Sequence, residues 1–217
     1  PNAVITYKGN TYGQDQLSEI YRNLRIEATK NFEYTITDGE ATITKYIGTD
    51  ADVAVPAYIE NAKVTEIGEN AFAERADIIN VYIPGSVAYV GSNAFMRCTS
   101  LKNIVIPSSV TSIGYGVFRE SAITQMTIPA GQEILGYCLF YGSDNLKYVS
   151  IPNGVTSIDE HVFSQCDNLA VLRLPDDIAE IKSNAFEECV NLTIIHKKTK
   201  YTYENRGNVP GTVAVAE

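Results

Sequence analysis

The sequence has no tryptophan, two methionines, two histidines and four cysteines in 217 residues, and the shortages of histidine and cysteine each close a class of function. His161 and His196 lie 35 positions apart, and no CxxC occurs among Cys98, Cys138, Cys166 and Cys189, so no structural zinc cluster can be drawn. Four cysteines are also too few for a disulfide scaffold in a chain of this length. No stretch approaches the roughly 18 apolar residues of a membrane helix, and the opening PNAVITYKGNTY lacks a charged segment followed by an apolar one. Membrane insertion of this chain is not expected. A start at Pro1 rather than Met reads as that of a processed or trimmed fragment. Positive charge is short too: 17 Lys and Arg stand against 26 Asp and Glu, a net of −9. That balance repels a phosphate backbone, which removes nucleic acid from the candidate partners. The deficit lies in the middle, where residues 46–196 hold 8 bases against 18 acids, while Lys197, Lys198, Lys200 and Arg206 make a small basic tail. Phosphate-cradling GxGxxG and GxxxxGKS loops are missing as well.

What the chain does have is a period. Hydrophobic residues make up 45% of it, enough for a packed core, and an Ile-Pro or Leu-Pro pair recurs at Pro84, Pro107, Pro129, Pro152 and Pro175 in steps of 23, 22, 23 and 23. Eleven residues after each proline stands Phe95, Phe118, Phe140, Phe163 or Phe186, with Phe72 one unit earlier. Val90, Ile113, Leu135, Ile158 and Ile181 form another column. Val87, Val110, Val155 and Ile178 form a third, in which Gln132 is the polar intruder. Before each proline comes an apolar triplet such as Leu101, Ile104 and Ile106, whose last two members alternate as in a strand. One such unit cannot bury its apolar positions alone, whereas stacked units cover one another with columns of like side chains. The fold class expected is therefore a leucine-rich-repeat solenoid, mostly β with short helical or 3-10 turns around the Asn-Ala-Phe segments.

Irregularities mark the ends and one interior unit. Phe118 to Ile123 is five residues where Phe95 to Leu101 is six, a loop deletion that bends the stack locally. Cys98, Cys166 and Cys189 all fall three residues after a phenylalanine and read as small buried filler; a Cys166–Cys189 bridge between neighbouring units is not required. EYTITDGEATITKY (33–46) alternates around Asp38-Gly39 and predicts a hairpin sealing the first unit. Leu17, Ile20, Tyr21 and Leu24 predict a helix within 15–28. The organisation expected is a helix-plus-hairpin capping segment over 1–45, repeats of about 23 residues over 46–198 with an insertion between Pro56 and Pro84, and a C-terminal tail over 199–217.

Chemistry-bearing groups are sparse. Asp159, His161 and Ser164 suggest a triad, yet His161 fills the column of Asn70, Asn93, Gly116, Cys138 and Asn184, so it reads as a repeat substitution rather than a general base. Asp159-Glu160, Asp176-Asp177 and Glu187-Glu188 lack calcium-loop spacing. No enzyme, cofactor or metal site is expected. What remains is the outward strand face: Tyr82, Val105, Thr127, Ser150 and Arg173 two before the prolines, His196 in the matching place, and Lys102, Gln125, Lys147 and Tyr148 in the neighbouring columns. About six stacked strands would span ~25–30 Å, a protein-sized epitope, and Tyr and Arg are hot-spot residue types.

The phased Pro, Val, Ile-Gly, Ala-Phe, Cys and Leu of VTEIGENAFAER and INVYIPGSVAYVGSNAFMRCTSLKNIVIPSSVTSIG closely resemble the BspA-like, or Treponema pallidum type, leucine-rich repeat over about residues 40–198. The resemblance implies a secreted or cell-surface bacterial protein whose partners are protein ligands, among them host extracellular-matrix proteins or other bacteria, met in adhesion. It carries over no catalytic residue. A glycan-binding module, favoured by 14 tyrosines and disfavoured by the absence of tryptophan, and a rigid surface spacer are the alternatives.

Overall fold

Alternation sets the local structure first: in Asn80-Val81-Tyr82 the valine is buried and the tyrosine exposed, and Asn103-Ile104-Val105 and Gln125-Met126-Thr127 repeat the pattern. The computed structural model describes residues 5–7, 10–12, 29–202 and 209. The helix expected over 15–28 lies outside the described residues. Along the chain, β1 (Ile5–Tyr7) pairs antiparallel with β2 (Asn10–Tyr12). A hairpin follows, β3 (Phe32–Thr37) and β4 (Glu40–Tyr46), whose Asp38-Gly39 turn holds both residues at positive φ, 52° and 80°.

The first coil contains β5 (Asp52–Ala54), β6 (Tyr58–Ile59) and β7 (Ala62–Ile67). Its insertion is taken up by a β6–β7 hairpin in which Tyr58 opposes Lys63. Each later coil adds a longer and a shorter strand: β8 (Asn80–Tyr82) and β9 (Tyr89–Val90), β10 (Asn103–Val105) and β11 (Ser112–Ile113), β12 (Gln125–Thr127) and β13 (Ile134–Leu135), β14 (Tyr148–Ser150) and β15 (Ser157–Ile158), β16 (Val171–Leu174) and β17 (Glu180–Ile181). The stack closes with β18 (Thr193–His196) and, antiparallel to it, β19 (Thr199–Tyr201). The chain is thus a β-solenoid of about seven turns. Two residues past the expected start of the tail, it is still in the sheet.

The third side of each coil is the compact Asn-Ala-Phe turn. Bonds from residue i to i−3 shape it, as in Ala94 N to Gly91 O and Met96 N to Asn93 O, interrupted by left-handed residues two before and two after the phenylalanine, such as Asn93 and Arg97, both at φ 56°. That requirement explains Asn70, Asn93 and Gly116 in the His161 column; Asn184 does not share the left-handed conformation. The phenylalanines stack into one ladder from Phe72 to Phe186 with centroids 4.9–5.8 Å apart and ring planes 7–20° from parallel. Tyr46 extends it into the hairpin at 5.5 Å. Each buried ring contributes roughly 1.5–3 kcal/mol of hydrophobic stabilisation.

The ladders of the two other sides are broken at one level. Long strands run β5-β8-β10 and then, separately, β12-β14-β16-β18-β19; short strands run β3-β4-β7-β9-β11 and then β13-β15-β17. Both gaps face the unit that is one residue short. In complete units the residue six after the phenylalanine donates to the carbonyl three after it, as in Leu101 N to Cys98 O (3.1 Å), Leu146 N to Ser143 O (3.0 Å) and Leu169 N to Cys166 O (3.0 Å). Between Ser121 and Ile123 there is no room for that turn, and the shortened path does not bring β12 and β13 into bonding register. The turn side stays closed, with Phe95 N on Val117 O and Phe118 N on Leu139 O, both 2.9 Å. The deletion therefore opens the stack as a wedge hinged on the phenylalanine ladder.

Candidate functional site

The long-strand face carries most of the residues expected there. Tyr82 is 63% exposed, Val105 77% and Tyr148 47%; Lys102, Gln125, Thr127, Lys147 and Arg173 are exposed and Ser150 is half-buried. Order along the face comes from the ladder: Tyr82 stands beside Val105, and Ser150 beside Arg173. Asn103 Nδ2 donates to Asn80 Oδ1 at 2.7 Å, and Asn80 in turn reaches Asp52.

His196 corrects the sequence reading. It is 4% exposed and pairs with Leu174, while Ile195 pairs with Arg173. The physical reason is a second one-residue deletion: Leu192 to Ile194 is two residues where Leu169 to Leu172 is three, so His196 arrives in the inward column. Its Nε2 has no hydrogen-bond partner.

Between β10 and β12 the broken ladder leaves a groove of about 450 Å³. Ile104, Ile106 and Met126 line it together with Val105, Gln125, Thr127 and Tyr148. Four of the expected face residues thus converge on one concavity, while Tyr82, Lys102, Lys147, Ser150 and Arg173 flank it on the same sheet. A second groove of about 470 Å³ opens on the other sheet between β11 and β13. Neither was anticipated; the only signal for them was the 22-residue step between Pro107 and Pro129.

His161 does meet Ser164, with Nδ1 3.1 Å from the hydroxyl, and lies 3.3 Å from a Glu187 carboxylate oxygen and 2.9 Å from Asn184 Nδ2. Ser164 is fully buried and donates to the Asn184 carbonyl at 2.6 Å, while Asp159 accepts from the Glu160 amide. A hydroxyl so committed is a turn tether, and Asp159 does not orient the imidazole. Among the described residues no three His, Cys, Asp or Glu are grouped to hold a metal, and no helix is long and apolar enough to cross a membrane.

The four cysteines are buried, and three of them have a task beyond filling. Cys98, Cys166 and Cys189 donate their Sγ protons to the carbonyls of Phe72, Phe140 and Phe163 at 3.0, 3.1 and 2.8 Å, and Ser143 does the same to Phe118 at 2.6 Å. Arg75 holds that column in the first coil, where Nη1 donates to the Tyr46 carbonyl at 2.8 Å and the guanidinium lies 4.6 Å from the Tyr46 ring. It ties the hairpin to the stack. Outside, Arg97 bridges Glu74 and Glu120 of the adjacent coils, and its hydrogen bond holds the Glu120 carboxyl below its ordinary range.

Comparison with known proteins agrees with this geometry. The family profile described as BspA type leucine rich repeat region matches residues 65–193 in six copies. The crystal structure of a T. pallidum leucine-rich-repeat protein superposes with a TM-score of 0.73 at 29% identity, covering 77% of this chain and 80% of that one. A leucine-rich cell surface protein from Faecalibacterium prausnitzii matches at 0.60 and 29%, covering 79% of this chain and 54% of its own. A leucine-rich-repeat protein from Bacteroides ovatus shares the fold at 0.61 and 24%, with 77% and 52% covered. The chain therefore spans about half the length of the latter two. No curated protein matches the sequence.

Proposed function

The chain belongs to the BspA-type leucine-rich-repeat family, and from that premise we propose that it is a non-enzymatic, surface-displayed module that binds a protein through its long-strand face. The observation that carries this reading is the uncovered strip of Tyr82, Val105 and Tyr148 beside a groove floored by Ile104, Ile106 and Met126. Large apolar side chains left on a sheet surface around a concavity mark contact sites, and aromatic anchors seated near such a groove are where binding energy concentrates. Lys102, Lys147 and Arg173 rim the strip on a chain whose net charge is −9, which favours a partner presenting acidic groups at the edge of the contact. Display at the cell surface rests on the F. prausnitzii relative described as a cell surface protein. Adhesion to host extracellular-matrix proteins is the use such a face would serve.

Immobilised collagen, laminin, fibronectin and mucin are the probes. Saturable binding of the wild type to at least one, weakened tenfold or more in Tyr82→Ala/Tyr148→Ala with an unchanged melting temperature, is the expected result. Folded wild type that binds none of them would leave a rigid spacer as the better description.

A further inference from the structure

The groove on the short-strand sheet has a different chemistry. Coil-to-coil bonds on that side repeat as Thr111 N to Ala88 O (2.9 Å), Thr156 N to Glu133 O (2.9 Å) and Ala179 N to Thr156 O (2.8 Å), and as Gly114 N to Val90 O (2.8 Å) and Asp159 N to Leu135 O (3.0 Å). At the break both series lapse. The Glu133 and Gly136 amides do not reach the Thr111 and Ile113 carbonyls, and all four residues line the groove. Two backbone donors and two acceptors therefore face a concavity without protein partners, where they must bond to solvent or to a ligand.

Side chains around them add aromatic walls and acceptors. Tyr115 is 61% exposed, and its ring stands over Gly136, where a Cβ would come within 3.1 Å of it. Tyr89 stands beside Ser112 on the same side of the groove as Tyr115, and Glu133, Asp159 and Ser112 also border the space. At about 470 Å³ the groove is of small-ligand size. We propose that it binds a neutral mono- or disaccharide. The electron-rich face of a tyrosine ring receives the C–H face of a pyranose, while carboxylates, amides and carbonyls divide its hydroxyls among them as donors and acceptors. Glu133 and Asp159 repel phosphate, sulfate or carboxylate groups, so acidic sugars and nucleotides are disfavoured. An added peptide strand gains little, because β11 and β13 are two residues each.

This site lies on the opposite sheet from the protein-binding face, so the two readings stand or fall separately. The test is a backbone amide NMR titration of the whole chain with cellobiose, maltose and N-acetyllactosamine, with sialyllactose as the acidic comparison. At least one neutral sugar is expected to shift the Ile113, Glu133 and Gly136 amides saturably. Tyr115→Ala, with an unchanged melting temperature, should weaken it roughly tenfold, and Tyr82→Ala/Tyr148→Ala should leave it intact. No shift at these amides with any neutral sugar, equal binding of sialyllactose, or undiminished binding by Tyr115→Ala would overturn the proposal.

Discussion

Phe118 has no exposed surface and lies between Phe95 and Phe140, with ring centroids 5.8 and 5.7 Å away. It is also the hinge of the wedge, because the ladders on either side of it are open. Phe118→Ala should cost about 3–5 kcal/mol, seen as a fall in the urea midpoint. The thiol column makes a second claim at this scale. Burial pushes the Cys98 thiol up to about 12 from an ordinary 9.0 and raises Cys166 as well. Below pH 9 these thiols are protonated in both folded and unfolded chains. Above it the unfolded chain ionises and the folded one does not, so stability falls as pH climbs from about 9 toward 12, by up to about 1.4 kcal/mol per thiol per pH unit. Urea midpoints at pH 7, 9 and 10 should show this slope in the wild type and a shallower one in Cys98→Ser/Cys166→Ser, which replaces each thiol donor with a hydroxyl donor. A midpoint independent of pH above 9 would contradict it. Periodicity made the column legible as small and buried; that it silences the phenylalanine carbonyls appears only when the coils are stacked.

At the scale of the element, the glycines after β11 and β13 report how closely coils approach. A Cβ on Gly114 would fall 2.5 Å from the Ser92 amide nitrogen, whereas one on Gly136, across the gap, would meet only the side chain of Tyr115. Gly114→Ala should therefore lose about 1–3 kcal/mol by overpacking and Gly136→Ala stay within about 0.5 kcal/mol of wild type, measured by thermal melts of the two variants side by side. Equal losses would mean the gap is closed in solution. Most of this architecture was readable beforehand: the Asp38-Gly39 hairpin, the strand alternation and the phenylalanine turns all follow from local pattern. The misses have a common cause. His196 faces inward because the deletion before Ile194 shifts the strand by one residue, and Arg75, a cation in a column of Cys and Ser, has meaning only once Tyr46 lies behind it. A one-residue change shifts register, and register is a relation between coils that no single unit displays.

For the whole molecule, a solenoid is a one-dimensional stack whose stability is the sum of its units and their interfaces, so one weak interface divides it without unfolding it. At the ends of the described stack lie the β3–β4 hairpin and the antiparallel β19; the weak interface is internal, at the unit one residue short. Both grooves, and with them both candidate sites, derive from that single deletion. This is also why the site was less legible than the fold: periodicity predicts what repeats, and the grooves lie where the repeat fails. Amide hydrogen exchange tests the claim most directly, in the wild type and in a variant with one serine inserted between Ser121 and Ala122. In the wild type the Glu133 and Gly136 amides should exchange faster than their counterparts Thr156 and Asp159, which donate to Glu133 and Leu135, and in the insertion variant they should slow to match. Equal protection of all four in the wild type would contradict it.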